Sequence, residues 1–175
     1  MPGSGDLMII PVAGAFGRGP TELAAFDAAL VAAGVADRNL TYLSSVLPPT
    51  SSVEQIDRIG RTPGGWGDRL YCVMAQARTA VPGTQAWAGV GWVQDASGRG
   101  LLVEHHAGDE ASLRRLVRTS LDALARNRGL SFPSAGIEVA GGDCVNDPVC
   151  ALVVAVFESA AWSSARRPAY AAAYA

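Results

Sequence analysis

Two adjacent serines, Ser44 and Ser45, open the segment Ser44-Ser45-Val46-Leu47-Pro48-Pro49. A serine hydroxyl held in a strained turn can attack the peptide carbonyl that precedes it. The N-to-O acyl shift gives an ester, elimination leaves dehydroalanine, and hydrolysis leaves an α-keto acyl group. That chemistry needs a nucleophilic hydroxyl, a distorted peptide and a donor for the developing oxyanion. Asn39 could supply the donor if the strand folds back. The plainer reading of the same residues is a strand that ends in a proline turn.

Glu104-His105-His106 is the second chemical cluster. On a strand, Glu104 and His106 point one way and His105 the other. Two ligands on one face make a poor metal site, so the readings left open are ordinary strand residues and Glu104 as an acid. The apolar run Leu101-Leu102-Val103 before it predicts apolar surroundings, which raise a carboxyl pKa as a general acid requires. The run Gly14-Ala15-Phe16-Gly17-Arg18-Gly19 before a helix could bind an anion. It lacks the dinucleotide fingerprint, and a plain loop is the expectation.

All 14 basic residues among the 175 are arginine. Without lysine the chain cannot form the Schiff base of a pyridoxal phosphate enzyme. The phosphate-binding loop that needs a lysine is excluded with it. Three cysteines, Cys72, Cys144 and Cys150, have no C-x-x-C spacing and read as buried free thiols. No metal site is expected. A net charge of −2 gives no broad basic surface for nucleic acid. The apolar runs are too short to span a bilayer, and Pro11 breaks the stretch from Leu7 to Phe16 as a signal peptide. No membrane partner and a cytoplasmic location are the expectations.

The elements that must carry these residues follow from the pattern. Leu7 to Ala13 reads as a buried strand and Gly14 to Pro20 as a loop. Thr21 caps a helix that runs to Ala33 and stops at Gly34. Leu23, Phe26, Leu30 and Ala33 share one face of it, with Asp27 at the margin of that stripe. Asn39 to Ser44 reads as a strand. Pro48 and Pro49 predict irregular chain over Val46 to Ser52, and Arg61 to Asp68 reads as a loop. Leu70 to Ala80, Ala86 to Gln94 and Gly100 to His106 follow as strands. Asp109 caps a second helix over Glu110 to Arg128, with Leu113, Leu116, Val117 and Leu124 inside and arginines outside. Ile137 to Ala140 and Val149 to Phe157 are the last strands, joined through Gly141-Gly142-Asp143. The tail from Ala160 to Ala175 has no core pattern. With 49% hydrophobic residues the chain can build one core, and the order of elements predicts an α+β fold.

The stretch Thr21-Glu22-Leu23-Ala24-Ala25-Phe26-Asp27-Ala28-Ala29-Leu30, then Ala33-Gly34, then Asn39-Leu40-Thr41-Tyr42-Leu43-Ser44-Ser45-Val46-Leu47-Pro48-Pro49, resembles the pyruvoyl-dependent arginine decarboxylases. Val81-Pro82-Gly83 and Gly100-Leu101-Leu102-Val103-Glu104 extend the likeness, which covers roughly residues 7 to 158. Thr50 to Arg69 departs from the family pattern, and residues 160 to 175 look additional. The resemblance implies a four-layer α/β/β/α sandwich in a single domain, residues 1–158, with 159–175 as a flexible tail. It implies homotrimers, or dimers of trimers, with active sites at subunit interfaces.

The resemblance also implies self-cleavage between Ser44 and Ser45. The products are a β chain, residues 1–44, and an α chain, residues 45–175. Ser45 would become a covalent pyruvoyl cofactor in place of pyridoxal phosphate, with Asn39 assisting the processing. Asp27, with Leu30 beside it, would bind the substrate, the carboxylate holding its guanidinium. Glu104 would be the proton donor. L-Arginine would join the pyruvoyl group as a Schiff base, lose CO2 and leave as agmatine. The alternatives are the same chemistry on another amino acid, or an unprocessed relative that only keeps the fold.

Overall fold

The computed structural model describes residues 7–60 and 64–162. Chain order is β1 (Met8–Arg18), α1 (Glu22–Ala33), β2 (Asn39–Tyr42), β3 (Val46–Leu47), β4 (Ser51–Gln55), β5 (Arg69–Thr79), β6 (Gln85–Gln94), β7 (Gly100–Ala107), α2 (Glu110–Asn127), β8 (Ser134–Asp143) and β9 (Val149–Ala160). One sheet has the order β2-β5-β9-β1-β4 and the other β3-β7-β6-β8.

The alternation of side chains along each strand builds three apolar layers. Ile10, Val12, Leu47, Val90, Leu102 and Val153 meet between the two sheets. The opposite faces of β1 and β9 carry Ala13, Leu152 and Val154, which pack under α1. Val93, Leu101 and Val103 pack under α2. The result is an α+β sandwich with helix, sheet, sheet and helix as its four layers.

The first helix is capped as its sequence predicts. The Ala24 N–H donates to Thr21 Oγ1 at 3.1 Å, and Gly34 closes the helix with φ of 86°. Its buried face differs from the expected one. Ala25, Ala29 and Ala33 are buried, whereas Leu23 is 69% exposed. The cause is close approach to β1. A Cβ on Gly17 would lie 2.2 Å from the Ala25 carbonyl oxygen. Only a stripe of alanines fits there, with Phe26 and Leu30 half-buried beside it and Leu23 turned outward.

The expected glycine loop is therefore strand as far as Arg18, with Gly19 and Pro20 left outside it. β1 continues to Arg18, paired antiparallel with β9 from Ala13↔Val154 to Arg18↔Val149. The expected joint at Gly141-Gly142-Asp143 is strand as well, because β8 runs to Asp143 against Gln85. A Cβ on Gly141 would meet the Trp87 ring at 2.2 Å, so glycine there makes room for the cross-strand indole. The proline segment is not wholly irregular. β3 and β4 flank Pro48 and Pro49, and β4 pairs in parallel with β1 from Met8↔Ser51 onward.

In α2 the buried residues are Leu113, Val117 and Leu121, with Leu116 exposed. β9 reaches Ala160, and the Trp162 indole N–H donates to the Gly67 carbonyl at 2.9 Å. Residues 163–175 of the expected tail and 61–63 of the expected loop lie outside the described residues. All three cysteines are buried free thiols, and burial pushes Cys72 up to about 12. Among the described residues no helix is long and apolar enough to cross a membrane.

Candidate active site

The serine pair lies where the chain changes sheets. β2 is an edge strand of one sheet and β3 an edge strand of the other, so Leu43, Ser44 and Ser45 make the whole crossing. Packed sheets stand ~10 Å apart. From Tyr42 to Val46 is four Cα steps, which reach ~13–14 Å when extended, so the crossing is short. It is pinned at both ends. The Leu43 N–H donates to the Cys72 carbonyl on β5, and the Leu102 N–H of β7 donates to the Ser45 carbonyl, each at 2.9 Å.

Ser45 absorbs the turn with φ of 64°. A residue with a Cβ in this left-handed region is disfavoured by ~1–2 kcal/mol. Among the described residues only Thr50, on the far side of the two prolines, shares this feature without being glycine. The Ser45 hydroxyl donates to Glu104 Oε2 at 2.9 Å.

Glu104 reaches Ser45 through the register of the second sheet. Val46 pairs with Leu101 and Leu47 with Gly100, so Ser45 stands beside Leu102. Leu102 is buried between the sheets, and Glu104, two residues on, shares that face. β3 has ended at that level, and the side chain of Glu104 emerges at the open margin. Glu104 is exposed, so the apolar surroundings expected for it do not form within one protomer.

A hollow of about 340 Å³ lies here, walled by Ser45, Leu102, Glu104, His105 and, from α2, Ser120 and Leu124. His105 points to the α2 side, where its Nε2 and Ser120 Oγ share a hydrogen bond of 2.7 Å. Ser120 is the lining residue that sequence reasoning missed. Its signal is positional. It lies three residues after Val117 and four before Leu124, so a hydroxyl interrupts the apolar stripe of α2.

The other candidates are not gathered at this hollow. Asn39 opens β2 opposite Arg69, and its side-chain N–H donates to the Gly67 carbonyl. Tyr42 ends that strand ~10 Å further on, before the serines begin. Asp27 is exposed on α1, in the outer layer, with Leu30 half-buried one turn away. It therefore sits among solvent rather than at the partly desolvated margin expected from the helical wheel. A second hollow, about 540 Å³, lies at the end of α1 around Gly34, Arg38 and Trp66. None of these candidates lines it.

The sequence matches known proteins over most of its length. The profile of the pyruvoyl-dependent arginine decarboxylases matches residues 9–157. The pyruvoyl-dependent arginine decarboxylase of Halobacterium salinarum is 41% identical over 140 residues, 80% of this chain and 79% of that protein. The enzyme of the same name from Methanopyrus kandleri is 36% identical over 114 residues, 65% of this chain and 71% of its own. That from Methanococcoides burtonii is 32% identical over 120 residues, 63% and 64% of the two chains. The matched span takes in both sheets, both helices and the strained serine crossing. On that breadth of agreement, this chain belongs to the pyruvoyl-dependent arginine decarboxylase family.

Proposed function

We propose that the chain cleaves itself between Ser44 and Ser45 and then decarboxylates L-arginine to agmatine and CO2. The observation that carries the reading is Ser45 itself, strained at φ of 64° where the chain changes sheets, with its hydroxyl on Glu104. Glu104 holds the hydroxyl by its proton, which leaves an oxygen lone pair for the Ser44 carbonyl carbon. Attack forms the ester and breaks the Ser44–Ser45 C–N bond, the amine taking a proton. Loss of the Ser45 α-proton expels the Ser44 carboxylate and leaves dehydroalanine. Water then releases ammonia and leaves a keto group on residue 45. Strain at Ser45 favours the first step, because the ester that replaces the peptide bond relieves the disfavoured backbone there.

The residues fit such a group. Ser45 lines the hollow of about 340 Å³, which has room for the reacting end of an amino acid. A pyruvoyl group supplies a carbonyl that holds the substrate amine and takes up the electrons left when CO2 departs. That role suits a chain without lysine. In turnover Glu104 delivers the proton to the substrate α-carbon. Asn39 enters as the oxyanion donor for processing. It stands too far along β2 to reach the Ser44 carbonyl of its own chain, so to act it must meet a serine crossing from a neighbouring copy.

Asp27, with Leu30, takes the guanidinium. A carboxylate binds this planar cation through two hydrogen bonds, lysine as a point charge, and citrulline without charge. Asp27 does not line the hollow at Ser45, so the site is completed by a second copy of the chain in a homotrimer or a dimer of trimers. Leu23 at 69% and Val31 at 51% exposure lie on the same helix as Asp27 and offer apolar surface for that contact. The three free thiols fit a reducing, cytoplasmic setting.

The test is CO2 release from an equimolar panel of arginine, lysine, citrulline, aspartate and histidine. Arginine is expected to lead, with lysine behind it and citrulline far behind. Preference for a neutral or acidic amino acid would overturn the substrate, and no release from any would overturn the enzyme.

A further inference from the structure

Beyond Ser45 and Glu104, the hollow holds one more polar pair, His105 and Ser120, among walls otherwise made by Leu102, Val103, Ala123 and Leu124. We propose that this pair is the subsite for the substrate's α-carboxylate, Ser120 contacting it and His105 acting as a positioning residue. The inference rests on the reading of Ser45 as the residue that holds the substrate amine.

The geometry of an amino acid supplies the argument. With its amine at residue 45, the α-carbon lies beside Ser45 and its remaining groups must diverge. The side chain leaves toward a cation-binding carboxylate outside the hollow. Glu104 stands 2.9 Å from the Ser45 hydroxyl and must keep its proton for the α-carbon, so the carboxylate needs a different partner. The polar group left on the lining is the His105–Ser120 pair, joined at 2.7 Å and half-buried.

The donor count of the pair suits an anion. A neutral imidazole has one N–H and serine one O–H. One of these makes the mutual bond, so one remains free in either tautomer. When Nε2–H donates to Ser120 Oγ, the free donor is the Ser120 hydroxyl, oriented by the ring. A protonated ring leaves two donors. Strand β7 and helix α2 each hold one member, so the pair is fixed from both sides. A hydroxyl in the apolar stripe of α2 and a histidine under that helix then have a common role.

Wild type, Ser120→Ala, Ser120→Cys and His105→Gln are each checked for cleavage by intact mass. Arginine KM and kcat are then measured, and agmatine, which lacks the carboxylate, is titrated by calorimetry. Ser120→Cys keeps the volume with a weak donor, and His105→Gln keeps an amide that can bond Ser120. Loss of a hydrogen bond to a charged group predicts a KM for arginine raised ~10- to 100-fold in both Ser120 variants. The kcat should be nearly unchanged and the agmatine affinity the same as wild type. His105→Gln should retain most of the arginine affinity. Agmatine weakened by the same factor as arginine would show a merely structural pair and overturn the proposal. So would an unchanged arginine KM in a cleaved Ser120 variant. An uncleaved wild type, or one inactive on arginine, would instead overturn the reading of Ser45 and the proposal with it.

Discussion

At the scale of single residues, chemistry and strain coincide at Ser45. Ser45→Ala removes the nucleophile and keeps the disfavoured conformation, whereas Ser45→Gly removes both. Neither protein should cleave, and Ser45→Gly should be the more stable by about 1 kcal/mol, read from parallel urea unfolding curves. Equal stability would mean that the left-handed conformation carries no strain. Glu104→Gln keeps an acceptor for the Ser45 hydroxyl but no proton to deliver. Cleavage should continue, while decarboxylation by the cleaved protein should fall ~10²-fold or more. Near-normal turnover would assign the acid to another group. The sequence makes Ser44, Ser45 and Glu104 legible by type and spacing. It does not show that Ser45 touches Glu104 across 59 positions, because that contact depends on the register of β3 against β7.

At the scale of elements, most strands and both helices are legible from periodicity, and their caps from single residues. Asp109 is an example. Its carboxylate accepts the Ser112 N–H at 2.7 Å, and the hydrogen bonds from Ser112 hold it below the usual carboxylate range. A carboxyl depressed in the folded state adds stability above its unfolded pKa, and that stability is lost as pH falls through the folded value. Wild type should lose thermal stability between pH 5 and 2.5 more steeply than Asp109→Asn, which caps without titrating. Parallel melting curves for the two proteins would contradict this.

What the sequence hides at this scale is packing between layers. Gly17 looks like a loop residue and is a strand residue under a helix. Gly141 looks like a turn and lies beneath an indole. In both places glycine marks close approach rather than a bend, and periodicity alone cannot tell the two apart. The same approach selects the alanine stripe of α1 and leaves Asp27 on the outside.

At the scale of the whole molecule, one pinned crossing between the sheets and two separated halves of a site define the account. The four layers follow from the order of strands and helices once the sheets are known. The crossing between them is visible only in three dimensions. Asp27 on an outer helix and Ser45 between the sheets predict a site shared by two copies. Co-expressed Asp27→Asn and Glu104→Gln chains should then recover part of the wild-type activity, because mixed assemblies contain intact sites. Each variant alone should be poor on arginine. No recovery in verified mixed assemblies would place both residues in one protomer's site.

The most direct measurement is the intact mass of the freshly folded, active protein. Cleavage at Ser44–Ser45 predicts two chains, residues 1–44 and residues 45–175, the second lighter by one ammonia than the same chain beginning with a free serine, because its side-chain hydroxyl and amino group have given way to a methyl ketone. Ser45→Ala should give one uncut chain. A single intact 175-residue chain in wild-type protein that decarboxylates arginine would contradict the account.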